Sequence, residues 1–108
     1  MHELGEARKL FNDAIEMKGD RNLKRIVIVL GEASGIKESF LRHSFEEHIF
    51  PDYNLTGTMI DVRIEKPKLR CDDCGYEMDD VTGMTCEKCG SFNISIAGGD
   101  RVYVAEVE

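Results

Sequence analysis

The sequence predicts an α/β (α+β) fold in which two helices lie on a three-stranded sheet, with a zinc-ribbon-like segment inserted before the last strand. Three observations predict it. Two stretches carry apolar residues at helical spacing, three others read as strands, and two identical C-x-x-C-G knuckles fall in one segment with little helical periodicity.

Leu4, Ala7, Phe11, Ala14 and Ile15 recur three and four apart, leaving Glu6, Arg8, Lys9 and Asp13 outside their arc. This spacing predicts a first amphipathic helix from about Glu3 to Lys18, stopped by Gly19-Asp20. Lys24 to Leu30 (KRIVIVL) is a β-branched run suited to a central strand buried on both faces. Gly31 to Gly35 is a turn region. Phe40, Leu41, Phe45 and Ile49 then mark a second helix from about Ile36 to Phe50, closed by Pro51. Thr58 to Glu65 alternates Ile60, Val62 and Ile64 with polar residues, as a half-buried strand does. Arg101 to Glu108 is the third strand, delivered by the Gly98-Gly99 turn.

Because the chain leaves one strand and returns in another of the same sheet, residues 1–66 plus 98–108 are expected to form one α/β domain and residues 67–97 an inserted one. Lys66-Pro67-Lys68 and Gly98-Gly99 are the two stems, expected to let the insertion shift relative to the rest.

Fourteen Lys and Arg against 21 Asp and Glu leave a formal net charge of −7 on 108 residues. That balance disfavours nucleic acid as a partner. The longest apolar run, Ile26 to Leu30, is far short of the roughly 18 residues a membrane span needs. Met1-His2-Glu3-Leu4 opens with neither a cationic segment nor an apolar block, so a cytoplasmic protein without an export signal is expected. In that reducing compartment cysteines serve as metal ligands more readily than as disulfides.

The knuckles are Cys71-Asp72-Asp73-Cys74-Gly75 and Cys86-Glu87-Lys88-Cys89-Gly90. Two intervening residues let both sulfurs of a pair reach one ion, and the following glycine takes the backbone angles of a tight turn. Cys71, Cys74, Cys86 and Cys89 therefore make an S₄ set suited to structural Zn(II), whose binding would organise a segment too small to fold on its own core. Two disulfides, free thiols and a rubredoxin-type iron are the alternatives. Four thiolates leave no open position for a catalytic water.

His2 precedes the first helix and, if the helix is extended back through it, falls opposite the Leu4, Phe11 and Ile15 face. A large second residue keeps the initiator Met in place, so the terminus presents three nitrogens from two residues: the Met1 amine, the His2 amide once deprotonated, and the His2 imidazole. Ni(II) and Cu(II) favour such nitrogen-rich tetragonal geometry. An exposed terminal histidine with no metal is the plainer reading. Glu3 is either an oxygen ligand or a carboxylate favoured near a helix N-terminus. His48 falls within the second helix's apolar arc and reads as a hydrogen-bonded core residue, whereas His43 reads as solvated and able to approach the N-terminus. Asp72-Asp73 and Asp79-Asp80 read as loop charges or as a partner surface.

Met1-His2-Glu3-Leu4 opening a helix, Val29-Leu30-Gly31-Glu32 ending a strand, the paired knuckles, and a terminal Gly98-Gly99-Asp100 followed by Tyr103-Val104 and Glu106-Val107-Glu108 together resemble the HypA/HybF family. The resemblance runs over essentially the whole chain. It implies a nickel metallochaperone for [NiFe]-hydrogenase maturation, with Ni(II) transported at Met1, His2 and Glu3 and structural Zn(II) at Cys71, Cys74, Cys86 and Cys89. The partners it implies are the nickel GTPase HypB and the hydrogenase large-subunit precursor. Gly75 and Gly90 depart from the family pattern, standing where some members carry His beside the zinc ligands.

No nucleophile arrangement and no phosphate-cradling glycine loop is recognisable, so an enzyme is not expected. The rival class is a zinc-ribbon adaptor that binds a protein, or less favourably RNA, and uses no nickel. Exposed edge strands leave homodimerisation open.

Overall fold

The computed structural model describes residues 3–79 and 85–108. Helix α1 (Glu3–Lys18) runs into strand β1 (Arg25–Gly31), and a short 3₁₀ turn (Glu32–Ser34) leads to helix α2. α2 starts α-helically at Glu38–His43, widens into a π-helical turn at Ser44–Ile49 and closes with Phe50–Asp52. Strands β2 (Met59–Glu65), β3 (Lys68–Cys71), β4 (Glu77–Met78), β5 (Ile94–Gly98) and β6 (Val102–Val107) complete the order.

The strands form two three-stranded sheets, β2-β1-β6 and β4-β3-β5. β1 is the central strand of the first, as its apolar run implies. It pairs parallel with β2 across the helical crossover α2 and antiparallel with β6. In register, Ile26 faces Ile60 and Ile28 faces Val62. On the other side Ile26 faces Val107 but Ile28 faces Val104, so β6 carries one extra residue in a bulge. The bulge turns Val107 onto the same face as Val102 and Val104 and leaves Glu106 outside, a result that strict alternation along RVYVAEVE would reverse.

Both helices cover this face. Ala7, Leu10, Phe11 and Ala14 of α1 and Leu41, Phe45, Ile49 and Phe50 of α2 pack with Ile26, Ile28, Ile60 and Val107. Ile15, expected in the apolar face, is exposed, and Leu10 fills that role instead. Arg42 donates from Nη1 to the Ile60 carbonyl (3.1 Å), tying α2 to β2. Among the described residues no helix covers the opposite face of the sheet. Val27 is nevertheless fully buried there, flanked by Arg25, which is paired with Glu108 and Asp61, and by Arg63, which is paired with Asp61 and Glu106.

The second sheet has a separate, small core: Cys71, Met78 and Cys86, with Leu69 and Ile94 packed against it. The chain extends 54 × 24 × 18 Å with a radius of gyration of 17.3 Å, against about 13 Å for a single compact domain of this length. Among the described residues these five are too few for an independent core, which makes the cysteine cluster the main organiser of this part.

Candidate metal centre

β3 ends at Cys71, whose amide donates to the Tyr76 carbonyl (2.9 Å) while the Gly75 amide donates to the Cys71 carbonyl (2.9 Å). The second knuckle repeats the pattern, with Cys86 N–H bonded to the Ser91 carbonyl (2.8 Å) and Gly90 N–H to the Cys86 carbonyl (2.9 Å). Gly75 (φ 78°) and Gly90 (φ 77°) close the two turns in left-handed geometry, which costs any residue with a Cβ roughly 1–2 kcal/mol.

The four sulfurs lie within 4.8 Å of one another. Their hydrogen-bonding contacts cross the knuckles: Cys71 Sγ to Cys89 Sγ and Cys74 Sγ to Cys86 Sγ, each 3.6 Å. A tetrahedron of sulfurs about 2.3 Å from a central ion has edges of about 3.8 Å. Disulfide sulfurs sit about 2.05 Å apart, so the four free thiols have the spacing of an S₄ cage and not of two bridges.

Backbone amides polarise the leading sulfur of each pair. Cys74 N–H points at Cys71 Sγ (3.5 Å), and both Lys88 N–H (3.3 Å) and Cys89 N–H (3.4 Å) point at Cys86 Sγ. The Cys74 amide is the main cause holding the Cys71 thiol below its ordinary range. The Cys89 and Lys88 amides bring Cys86 down to about 6 against the effect of burial. The trailing thiols move the other way. The Tyr76 amide favours the Cys74 thiolate, but burial and the Cys71 and Cys86 sulfurs outweigh it and push this thiol up. The Ser91 amide likewise favours the Cys89 thiolate, but the Cys71 sulfur and burial push that thiol up to about 12. Amide hydrogen bonds thus favour the thiolate at the leading sulfurs, while the trailing thiols hold their protons more tightly than usual. The site has the soft donors and the charge to hold a divalent ion such as zinc.

Asp73 locks the knuckles together. Its carboxylate accepts hydrogen bonds from Ser91 Oγ and from Asn93 Nδ2 (3.1 Å), and these hold it below the usual carboxylate range. Ser91 Oγ also accepts from Asn93 N–H (3.0 Å), and Ser95 Oγ donates to Asp72 (2.8 Å). Asp72 and Asp73, read from sequence as loop charges or a partner surface, are exposed turn residues, and Asp73 in addition ties the first knuckle to the residues just after the second. The only sequence signal for this was a carboxylate inside one knuckle and hydroxyl and amide side chains just after the other. Asp80 lies outside the described residues.

Met1 and His2 of the expected nickel set also lie outside the described residues, as does the side chain of Glu3, whose backbone opens α1. His48 is exposed, contrary to the core position expected of it, because the π turn shifts it off the apolar arc. Its ring meets that of His43, also exposed, at 5.1 Å between centroids and an interplanar angle of 77°.

The full chain, residues 1–108, matches the family described as hydrogenase/urease nickel incorporation, metallochaperone, HypA. The chain belongs to the HypA family. Relatives named hydrogenase maturation factor HypA include those of Methanocaldococcus jannaschii (32% identical, covering 96% of this chain and 93% of the relative) and Aquifex aeolicus (28%, covering 100% and 96%). The solution structure of the Ni metallochaperone HypA from Helicobacter pylori superposes with a TM-score of 0.72 at 25% identity, covering 100% of this chain and 97% of that one. HypA relatives are named as maturation factors and metallochaperones, not as catalysts. Among the described residues no helix is long and apolar enough to cross a membrane.

Proposed function

We propose that this HypA-family chain accepts Ni(II) at its amino terminus and hands it to an enzyme precursor during [NiFe]-hydrogenase maturation. The Met1 amine, the His2 amide and imidazole, and Glu3 form the cargo site. Zn(II) at Cys71, Cys74, Cys86 and Cys89 holds residues 67–97 as an inserted domain beside the α/β domain of residues 1–66 and 98–108. The GTPase HypB and the hydrogenase large-subunit precursor are the partners, met in the cytoplasm, and no step requires catalysis by this chain.

One observation carries this reading: a family match for nickel incorporation spans the whole chain, while its four sulfurs form a set that a tetrahedral ion fills completely. A closed cage suits a permanent ion and not a passing one. The cargo therefore needs other ligands, and a chain terminus can rearrange into a partner's coordination sphere without opening a core. The test is Ni(II) titration of untagged, zinc-loaded protein beside a form with one extra residue before Met1, which turns the terminal amine into an amide. The reading expects the planar d–d absorption only with the free terminus. An adaptor that uses no nickel would show no such band in either form, with nickel entering only by displacing zinc.

A further inference from the structure

The π turn of α2 does something to its two histidines that an α-helix would not. In a π turn the hydrogen bonds run from residue i to i+5, as Phe50 N–H does to the Phe45 carbonyl, so residues five apart come nearly above one another. On an α-helix the same two positions point about 140° apart. His43 and His48 are five apart, and their rings meet at 5.1 Å. Such turns are rare and concentrate at functional sites.

We propose that His43 and His48 form a second cation site, a two-imidazole clip on the outer side of α2 that takes a borderline divalent ion of the Ni(II) class. With a metal–nitrogen bond of about 2.0–2.1 Å, each ring centroid stands about 3.2 Å from the ion, and two adjacent ligands at about 90–109° put their centroids about 4.5–5.2 Å apart. The observed separation falls in that window, and the rings, which meet edge to face, need only turn about their own χ2 bonds to bring one nitrogen each to a shared ion. Both rings are exposed, so an ion reaches them without opening the core, and exposed Glu46 and Glu47 on the same turn bias the surface towards cations. Imidazole is a ligand type that nickel favours. No third His, Cys, Asp or Glu joins the pair among the described residues, so water or a partner's groups complete the coordination. The clip is thus a weak, open site, in contrast with the closed sulfur cage. It goes beyond the amino-terminal site proposed above and sits on a different element, so the two fail separately.

The test uses full-length, zinc-loaded H2A protein, which lacks the proposed terminal site, titrated with Ni(II) alone while zinc release is monitored. The expected result is one further Ni(II), with the imidazole resonances of His43 and His48 shifting or broadening together. H43Q or H48Q in the H2A background should weaken that binding roughly tenfold or more. Gln at an exposed position leaves no cavity, and circular dichroism with zinc content checks the fold. Unchanged His43 and His48 resonances, or nickel uptake by H2A protein that survives H43Q/H48Q, would overturn the clip and leave only a ring contact. Equal nickel binding by wild-type and H2A protein would instead count against the terminal site.

Discussion

Gly31 and Gly99 are in direct backbone contact where the two sheets join. A Cβ on Gly31 would stand 2.4 Å from the Gly99 carbonyl oxygen, and one on Gly99 would stand 2.5 Å from the Lys66 carbonyl oxygen and the Pro67 Cα. The Ala33 amide bonds to the Gly99 carbonyl and the Gly31 amide to that of Arg101, both at 2.8 Å. Both stems of the cysteine segment therefore meet at the end of β1. Gly99, expected from sequence as part of a swivel, is pinned between Gly31 and the Lys66-Pro67 backbone.

This contact predicts that Gly99→Ala and Gly31→Ala destabilise the protein by about 1–3 kcal/mol or more, since the obstructing atoms are backbone and cannot move aside singly. At Gly99 the positive φ of 75° adds strain. Thermal unfolding at constant zinc occupancy checks it. A midpoint unchanged by both substitutions would mean that the contact is slack.

Replacing Cys86 by Ser is expected to abolish zinc retention and unfold the β3-β4-β5 sheet while leaving α1 and the β2-β1-β6 sheet folded. The two parts have separate cores, and that of the small one is built around two of the ligands. Metal analysis and amide chemical shifts report the two parts independently.

Asp73→Ala removes the carboxylate that ties the first knuckle to Ser91 and Asn93. The expected effect is a loss of roughly 10–100-fold in zinc affinity with the tetrahedral site intact at saturating zinc, as for other groups that orient ligands from behind. Competition with a chromogenic chelator measures it, and an unchanged affinity would show that the knuckles orient themselves.

Metal retention is expected to weaken as pH falls. Holding the ion requires four thiolates, yet Cys74 and Cys89 have raised pKa values in the metal-free protein, so uptake releases protons and acid opposes it. Chelator-induced zinc loss followed at several pH values tests the sign. Faster loss at higher pH would contradict it.

Features carried by local pattern were legible in the sequence. α1 has the bounds its apolar spacing implies, β1 is central as its unbroken β-branched run implies, and the duplicated knuckle spacing located all four sulfurs. What escaped depends on geometry that breaks a regular period or on partners far along the chain. A π turn changes the angle per residue, so the arc drawn for an ideal helix put His48 inside when it is outside. The bulge in β6 interrupts alternation and brings in Val107. Asp73 finds its partners 18 and 20 residues away, just beyond the second knuckle.

The central claim, a terminal nickel site distinct from the sulfur cage, is tested most directly by equilibrium Ni(II) binding to untagged wild-type and His2→Ala proteins at fixed, full zinc occupancy. In the sequence His2 precedes the apolar positions of α1, so its replacement is expected to take away an imidazole and a chelate ring without making a cavity. The expected result is loss of the high-affinity planar nickel signal in the variant, with zinc content and fold unchanged. The same signal at the same affinity in both proteins would contradict it and place the cargo elsewhere on the chain.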